Sequence, residues 1–138
     1  MAGSAVMHLK GRDEFFALNG DKKTEIQSII NNTFYHVEKV NGSYPMRWRF
    51  VAKVLGVFRE TAGRDWERKY ETTVIGFESL VELPRTGGIY LEDGWREVGR
   101  TVGYTCKRVA GKGTDSWTGK RVWNVDDKRP KRVFCRFV

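Results

Sequence analysis

The sequence has few of the residues that build metal sites and disulfide frameworks, and it has no long hydrophobic run. It holds two cysteines and two histidines, and neither histidine stands at ligand spacing from a cysteine, so no metal site is predicted. No secretory signal is recognisable at the start, so Cys106 and Cys135 are expected to be free thiols in a reducing cytoplasm. No apolar run approaches the roughly 20 residues of a membrane span, so no membrane partner is expected.

The composition is typical of one globular domain. Apolar residues make up 40% of the 138 residues and charged residues 30%, and a chain of this length fits a single domain. Residues 1–6 are interpreted as a disordered leader, with Met7 as the candidate native start. The predicted domain therefore covers residues 7–138.

The positive charge is concentrated in the last third of the chain. Residues 96–138 contain 12 Lys and Arg against 4 Asp and Glu, whereas the preceding 95 residues contain 13 of each kind. The whole net charge of +8 therefore lies in this C-terminal part. A neutral body with a cationic end is typical of a domain that meets a polyanion on one face. A solvated surface that only keeps the protein in solution is the alternative.

The hydrophobic pattern predicts a mixed α/β (α+β) fold. Apolar residues recur at three- and four-residue steps between Trp48 and Trp66, which predicts a long amphipathic helix over 46–70. A short helix capped by Asp21 or Thr24 is expected to carry three isoleucines on its apolar side, Ile26, Ile29 and Ile30, and to end at Asn31-Asn32. A further short helix is predicted over 85–93, and strands are predicted over 33–39, 72–81, 95–104, 104–109, 120–125 and 132–137.

Glu78 interrupts the most apolar of these strands. A carboxylate buried there without a partner is costly, and its pKa would rise, which suits a base that takes a proton from an amine. An ion pair with one of the many arginines is an equal alternative. Ser79 is expected on the opposite face of the sheet unless a bulge turns it, and no histidine lies nearby to complete a serine triad.

The polar loop 110–119 and its flanking strands combine hydroxyl groups, cations and a tryptophan. An aromatic ring that stacks on a base, with cations on the phosphates, can hold unpaired or flipped nucleotides. The alternative is a long hairpin loop whose tryptophan folds back onto the sheet. Arg85 is a further phosphate-contact candidate, because a cation near a helix N-terminus is unfavourable unless it binds an anion. The predicted nucleic-acid contacts are Arg85, Lys107, Arg108, Lys112, Trp117, Lys120 and Arg121.

The segment Gly87-Gly-Ile-Tyr-Leu-Glu-Asp-Gly-Trp-Arg-Glu-Val-Gly99 resembles the C-terminal signature of GNAT-fold acyltransferases. Together with Asp65-Trp-Glu and Phe77-Glu-Ser-Leu-Val81, it makes about residues 46–138 similar to a GNAT-like subgroup. That subgroup includes the phage Mom proteins, which modify DNA adenine, and relatives carried near anti-phage defence genes. The resemblance implies a GNAT-like mixed sheet flanked by a long helix and a short helix, reduced at the N-terminus.

The same resemblance implies an acyltransferase-like enzyme of phage or mobile-element origin that serves anti-restriction. It would act in the cytoplasm of a bacterial host on the exocyclic amine of adenine, most concretely in DNA. Glu78 would be the base or polariser, Tyr90 the acid that protonates the departing thiolate, and Ser79 a further catalytic candidate.

Acetyl-CoA, or another acyl or carbamoyl donor, is the implied cofactor. The position of the Gly-rich CoA loop reads Asn41-Gly-Ser-Tyr-Pro-Met-Arg-Trp-Arg49, so Arg47 and Arg49 are the residues expected to hold phosphate by charge. Two other functions remain open: a non-catalytic GNAT-derived module that binds nucleic acid or a defence protein, and a protein N-acetyltransferase. The oligomeric state is also open, with a homodimer as one option.

Overall fold

The computed structural model describes residues 2–6, 8–33, 41–43, 48–109 and 120–138, with the backbone alone for residues 48, 105–109, 120, 121, 123–125 and 127. The elements in chain order are β1 (Ala2–Ser4), α1 (Lys10–Phe15), α2 (Lys22–Glu25), a 3-10 turn (Ile26–Ser28), β2 (Ile29–Asn32), α3 (Trp48–Tyr70), β3 (Gly76–Glu82), α4 (Gly88–Glu92), β4 (Arg96–Arg100), β5 (Tyr104–Val109), β6 (Lys120–Lys128) and β7 (Lys131–Phe137). None of these helices is long and apolar enough to cross a membrane.

Five strands form an open mixed sheet in the order β1-β2-β3-β7-β4. The pair β2 and β3 is parallel, and the other neighbouring pairs are antiparallel. The central strand β3 pairs with β7 along its whole length, from Gly76 opposite Phe137 to Glu82 opposite Lys131. The strands β5 and β6 form a separate two-stranded sheet. The predicted mixed α/β class is confirmed.

Helices cover both faces of the five-stranded sheet, and successive strand residues alternate between the two faces. On the face toward α3 and α4, called here the α3 face, the core contains Ile30, Leu55, Val74, Phe77, Val81, Tyr90, Trp95 and Phe134. On the opposite face, called the α1 face, the core contains Ala5, Phe16, Ile26, Ile29, Val133 and Cys135. Because both faces are covered, β3 is buried almost throughout, as its apolar sequence predicts.

The long helix α3 is confirmed within two residues of its predicted start, because its amphipathic period sets the buried side. Val51 and Leu55 are buried, and Trp66 anchors the C-terminal half by donating from Nε1 to the carbonyl oxygen of Gln27 at 2.8 Å. At the edge of the α3 face, Asp93 accepts hydrogen bonds from Arg59 of α3 and from Nε1 of Trp95. These bonds fix α4 against α3 and against the start of β4.

The isoleucine-rich segment folds differently from the prediction. Asp21 does cap α2, since Oδ2 accepts the backbone N–H of Thr24 at 3.1 Å. Ile29 and Ile30, predicted on a helix, are in β2, and both are fully buried on opposite faces of the sheet. The predicted helix end at Asn31-Asn32 is also wrong, because both residues belong to β2. Parallel pairing with β3 explains the difference, since it requires apolar residues on both faces of the strand.

Two further predictions concern the N-terminal part of the chain. Residues 1–6 were excluded from the predicted domain, whereas the structure pairs Ala2–Ser4 with β2 as an edge strand. The predicted strand over 33–39 lies outside the described residues except for Thr33. The other predicted strands are present with shifted ends; β3, for example, runs over Gly76–Glu82 rather than 72–81.

Candidate functional site

The register of the parallel strands β2 and β3 ends before the carboxyl end of β3. Their register ends at the pair Asn31 and Glu78, and β3 then continues beyond the last residue of β2, Asn32. Ser79 is the first residue of β3 beyond this register. In open α/β sheets ligands bind outside the carboxyl ends of parallel strands, where neighbouring chain segments diverge. This point of the sheet is therefore the candidate site.

Three polar side chains meet there on the α3 face, and Asn32, Ser79 and Tyr90 are together called the strand-end site. The hydroxyl oxygens of Ser79 and Tyr90 are 2.9 Å apart, and Ser79 Oγ is also 3.2 Å from the carbonyl oxygen of Asn32. The side-chain amide of Asn32 donates to the Tyr90 hydroxyl at 3.1 Å. Because a serine hydroxyl has one proton, Tyr90 can donate to Ser79 whenever Ser79 donates to the Asn32 carbonyl. The three groups therefore form a continuous chain of hydrogen bonds.

Tyr90 is held in this position by aromatic packing. Its ring stacks on Phe134 at a centroid distance of 5.5 Å and meets Trp95 edge-on at 5.1 Å. Burial raises the pKa of the Tyr90 hydroxyl, and the hydrogen bonds with Ser79 and Asn32 offset this only in part. The phenol is therefore protonated near neutral pH, which is the state that a general acid needs.

One acceptor of the strand-end site is unsatisfied among the described residues. Asn32 is only 4% exposed, and its side-chain Oδ1 has no hydrogen-bond partner within the ranges that the structure covers. A buried polar atom without a partner is uncommon and calls for an explanation. An N–H group of a bound ligand beside Tyr90 would satisfy this oxygen.

Glu78 lies on the α1 face, in a closed ion pair. Its Oε2 accepts from Nη1 of Arg12 at 2.7 Å, and its Oε1 accepts from the backbone N–H of Val6 at 2.7 Å and from the side chain of Asn31 at 3.0 Å. Arg12 also donates to the carbonyl oxygen of Val6 at 2.6 Å and to Asp13 at 2.6 Å. Both charged side chains are fully buried.

This arrangement confirms the ion-pair alternative for Glu78. Burial raises the pKa of the Glu78 carboxyl, and the Val6 hydrogen bond and the charge of Arg12 oppose that rise. All the contacts of the carboxylate are with the domain itself, and the sheet separates it from Tyr90. The structure therefore does not bring Glu78 together with Tyr90 and Ser79, because adjacent strand residues point to opposite faces.

The predicted cofactor and nucleic-acid residues are described only in part. Arg49 is highly exposed near the start of α3, with Nε 3.9 Å from a carboxylate oxygen of Glu92. Arg85 is exposed between β3 and α4. The backbone of the β5–β6 hairpin places Arg108 directly opposite Arg121. Lys107 and Lys120 belong to the same hairpin as backbone only, whereas Arg47, Lys112 and Trp117 lie outside the described residues.

Part of the C-terminal positive charge is compensated inside the domain. Arg132 binds Glu97 with its Nε at 2.9 Å, and Arg100 lies 3.8 Å from the same carboxylate. Arg136 lies 3.7 Å from Asp93. The hydrogen bonds from Arg132 lower the pKa of Glu97, which keeps this acid ionised. Glu97 is already subtracted in the net charge of +8 of residues 96–138, so of these contacts only the pairing of Arg136 with Asp93 makes the positive charge left for a partner smaller than the sequence count.

Sequence reasoning missed two residues that organise the two faces. Arg12 is 66 positions from Glu78 in the chain, and no spacing pattern identifies it among the 25 Lys and Arg residues. Asn32 falls at the predicted helix end, whereas the structure places it at the end of β2. The sequence signal is the pair Asn31-Asn32 after Ile29-Ile30, which puts polar groups on both faces of a strand end.

No group of three or more His, Cys, Asp or Glu residues in the described part of the chain could hold a metal ion. Comparisons with protein-family models, with curated proteins and with solved structures give no match to this chain. Any function must therefore be inferred from the chemistry of the residues themselves.

Proposed function

We propose that this chain is a GNAT-like group-transfer enzyme that modifies an amine of nucleic acid, most concretely the exocyclic amine of adenine in DNA, in the cytoplasm of a bacterial host. The observation that carries the proposal is the buried Tyr90 hydroxyl, hydrogen-bonded with Ser79 and Asn32 at the end of a parallel strand pair. A mixed sheet with a long helix, and with this tyrosine on a short helix, is also the arrangement that the resemblance implies.

In this proposal the strand-end site would take an acyl or carbamoyl donor such as acetyl-CoA. The unsatisfied Oδ1 of Asn32 can accept an N–H group, and exposed Arg49 can contact phosphate. Such a donor would supply a carbonyl carbon activated by a thiol leaving group. Transfer forms the bond from the amine nitrogen to that carbon and breaks the carbon–sulfur bond.

In this proposal Tyr90 gives its proton to the departing sulfur, and Ser79 and Asn32 hold its hydroxyl in place. The proton that the amine loses passes to water, and water returns a proton to Tyr90, so amine and thioester give amide and thiol with no net change in protons. Glu78 takes no part in proton transfer; its role is to fix β3 against α1 through Arg12. This replaces the role of base that the sequence suggested for Glu78.

The cationic residues of the β5–β6 hairpin support the proposal that the substrate is anionic. Arg108 and Arg121 are register partners in its backbone, so two cationic residues stand at one position of the hairpin. A phosphate group bound at this position would be attracted by both. The hairpin would hold nucleic acid, and a flipped base would have to reach the strand-end site.

A non-catalytic nucleic-acid-binding module is the second candidate function. It is favoured by one observation: the only acid of β3 near the strand-end site, Glu78, is closed off by Arg12 on the other face. Such a module would use the hairpin in the same way, without a donor and without a role for the Tyr90 proton.

Mass spectrometry of nucleosides from cells that express the protein tests the proposal. We expect a new adenosine mass with the unmodified chain, a fall of about 100-fold or more with Tyr90→Phe because general acids contribute that much, and no change with the exposed control Tyr70→Phe at the end of α3. Thermal shift with acetyl-CoA should show stabilisation. Unchanged nucleosides and no shift, with salt-sensitive DNA binding retained, would instead establish the binding module. Unchanged nucleosides with newly acylated lysines would establish a protein acetyltransferase.

A further inference from the structure

The outward side of α3 carries an apolar stripe. Phe50, Val54 and Val57 are 52%, 43% and 62% exposed. Their spacing of four and three residues puts them on one line along the helix, and the buried residues Val51 and Leu55 lie on the sheet side. Isolated exposed apolar residues are ordinary, but a continuous stripe marks an interaction surface. The set Phe50, Val54 and Val57 is called the outer stripe.

Charged residues follow one flank of the outer stripe. Lys53, Glu60 and Arg64 are exposed, and none of them has an ion-pair partner among the residues that the structure describes. At 100° per residue they lie beside Val57 on the side opposite Val54. Lys53 and Glu60 are nearly equidistant from Val57 along the chain, with opposite charges. Phe50 and Arg64 are equidistant from it as well.

We propose that the outer stripe binds a second copy of this chain, with the two α3 helices antiparallel and a two-fold axis near Val57. In such a pair each flank of one helix meets the same flank of the other. Lys53 then faces Glu60 of the second copy, and the reverse pair forms by symmetry. Phe50 meets Arg64 of the second copy, where a guanidinium can lie on the aromatic ring. Val57 packs against itself across the axis.

The charge pattern selects a second copy over an unrelated partner. A sequence that supplies both members of each contact, at equal or nearly equal distances from one point, is self-complementary, as a two-fold interface requires. The contact runs from residue 50 to residue 64, a rise of roughly 21 Å, so the interface is small. We therefore expect a dimer that dissociates on dilution. The inference is independent of the proposed function, because the strand-end site lies on the sheet side of α3.

Sedimentation velocity with charge-reversal variants tests the dimer. The unmodified chain is expected to pass from monomer to dimer between roughly 1 and 200 μM. Lys53→Glu and Glu60→Lys should each raise the dissociation constant about tenfold or more, because each variant places like charges across the axis twice. An equimolar mixture of the two variants should dimerise again, since every cross-pair is then of opposite sign. Lys23→Glu, at an exposed site of α2, is the matched control and should not alter association.

Each result of this experiment decides the proposal. Loss of the dimer in both single variants and its recovery in the mixture confirm the antiparallel pair. A chain that stays monomeric over the whole range overturns it, and so does a dimer that both single variants retain. Circular dichroism of every variant should match that of the unmodified chain, because the exchanged side chains are all exposed. A Val57→Cys chain gives an independent readout, because a spontaneous disulfide between copies forms only where the two α carbons come within roughly 7 Å.

Discussion

Replacing Glu78 with glutamine removes one charge from a fully buried ion pair. The glutamine has one oxygen, so it can accept from Val6 and Asn31 or from Arg12, but not from both sides. Arg12 then loses its only fully buried counter-charge, although Asp13 still accepts from its Nε at 2.6 Å. Breaking a buried pair costs about 3–5 kcal/mol, and because Asp13 remains we expect about 3 kcal/mol, or a Tm lower by roughly 10 °C.

Urea unfolding followed by far-UV circular dichroism measures this loss. Glu82→Gln is the matched control, since Glu82 ends the same strand and is partly exposed, and it should change the free energy of unfolding by less than about 0.5 kcal/mol. A double Arg12→Met and Glu78→Met variant should be more stable than either single variant, because an apolar pair leaves no unpaired charge. A Glu78→Gln chain as stable as the unmodified one, but without nucleoside modification, would refute the structural role and restore the predicted base.

Three further predictions follow from local geometry and titration. Gly87 has a φ of +73°, and a Cβ added there would lie 2.4 Å from a ring carbon of Phe134 in β7. Gly87→Ala should therefore lower the free energy of unfolding by more than about 1 kcal/mol. Gly88→Ala lacks both constraints and should not lower it. Burial raises the pKa of Asp13, but the hydrogen bonds from two cations outweigh it and place the pKa below 3.8. The stabilisation that Asp13 provides should therefore be present above pH 3.8 and be lost as the pH falls through its folded pKa. Asp13→Asn should remove this part of the pH dependence of the free energy of unfolding, as measured by acid titration. Burial raises the pKa of Cys135 to about 12, so in a Cys106→Ser background a thiol reagent at about pH 8 should label only the unfolded chain.

Local periodicity is the part of the fold that the sequence predicts well. The helix α3 is located by the period of its apolar residues, and the strand β3 by its nearly continuous apolar run. The error at Ile29 and Ile30 has the same origin. The spacing of Ile26, Ile29 and Ile30 fits a helix, and only the pairing of β2 with β3, about 47 residues away, makes it a strand. Pairing between strands so far apart in the chain cannot be recognised from a short window of sequence.

The candidate site likewise combines a local feature that the sequence predicts with a non-local one that it does not. Alternation along β3 predicted that Glu78 and Ser79 face opposite sides, and the structure places their partners accordingly, Arg12 on one face and Tyr90 on the other. The sequence could not choose between a base and an ion pair for Glu78, because the choice depends on which of many arginines is buried beside it. That information is in the packing of α1, not in the strand.

Adjacent residues of β3 have different roles because they lie on opposite faces of the sheet. On the α1 face every oxygen of Glu78 has a partner within the domain, so a proton moved there would break the pair that fixes the N-terminal segment. Buried amide oxygens without a partner among the described residues occur on both faces, Asn31 Oδ1 beside Glu78 and Asn32 Oδ1 beside Tyr90. The two faces differ in the proton: the Glu78 carboxylate is paired with Arg12, whereas the Tyr90 hydroxyl has a proton that it can donate. If chemistry occurs at this sheet, it should therefore depend on Tyr90 and Asn32, and a Glu78 variant that still folds should retain it.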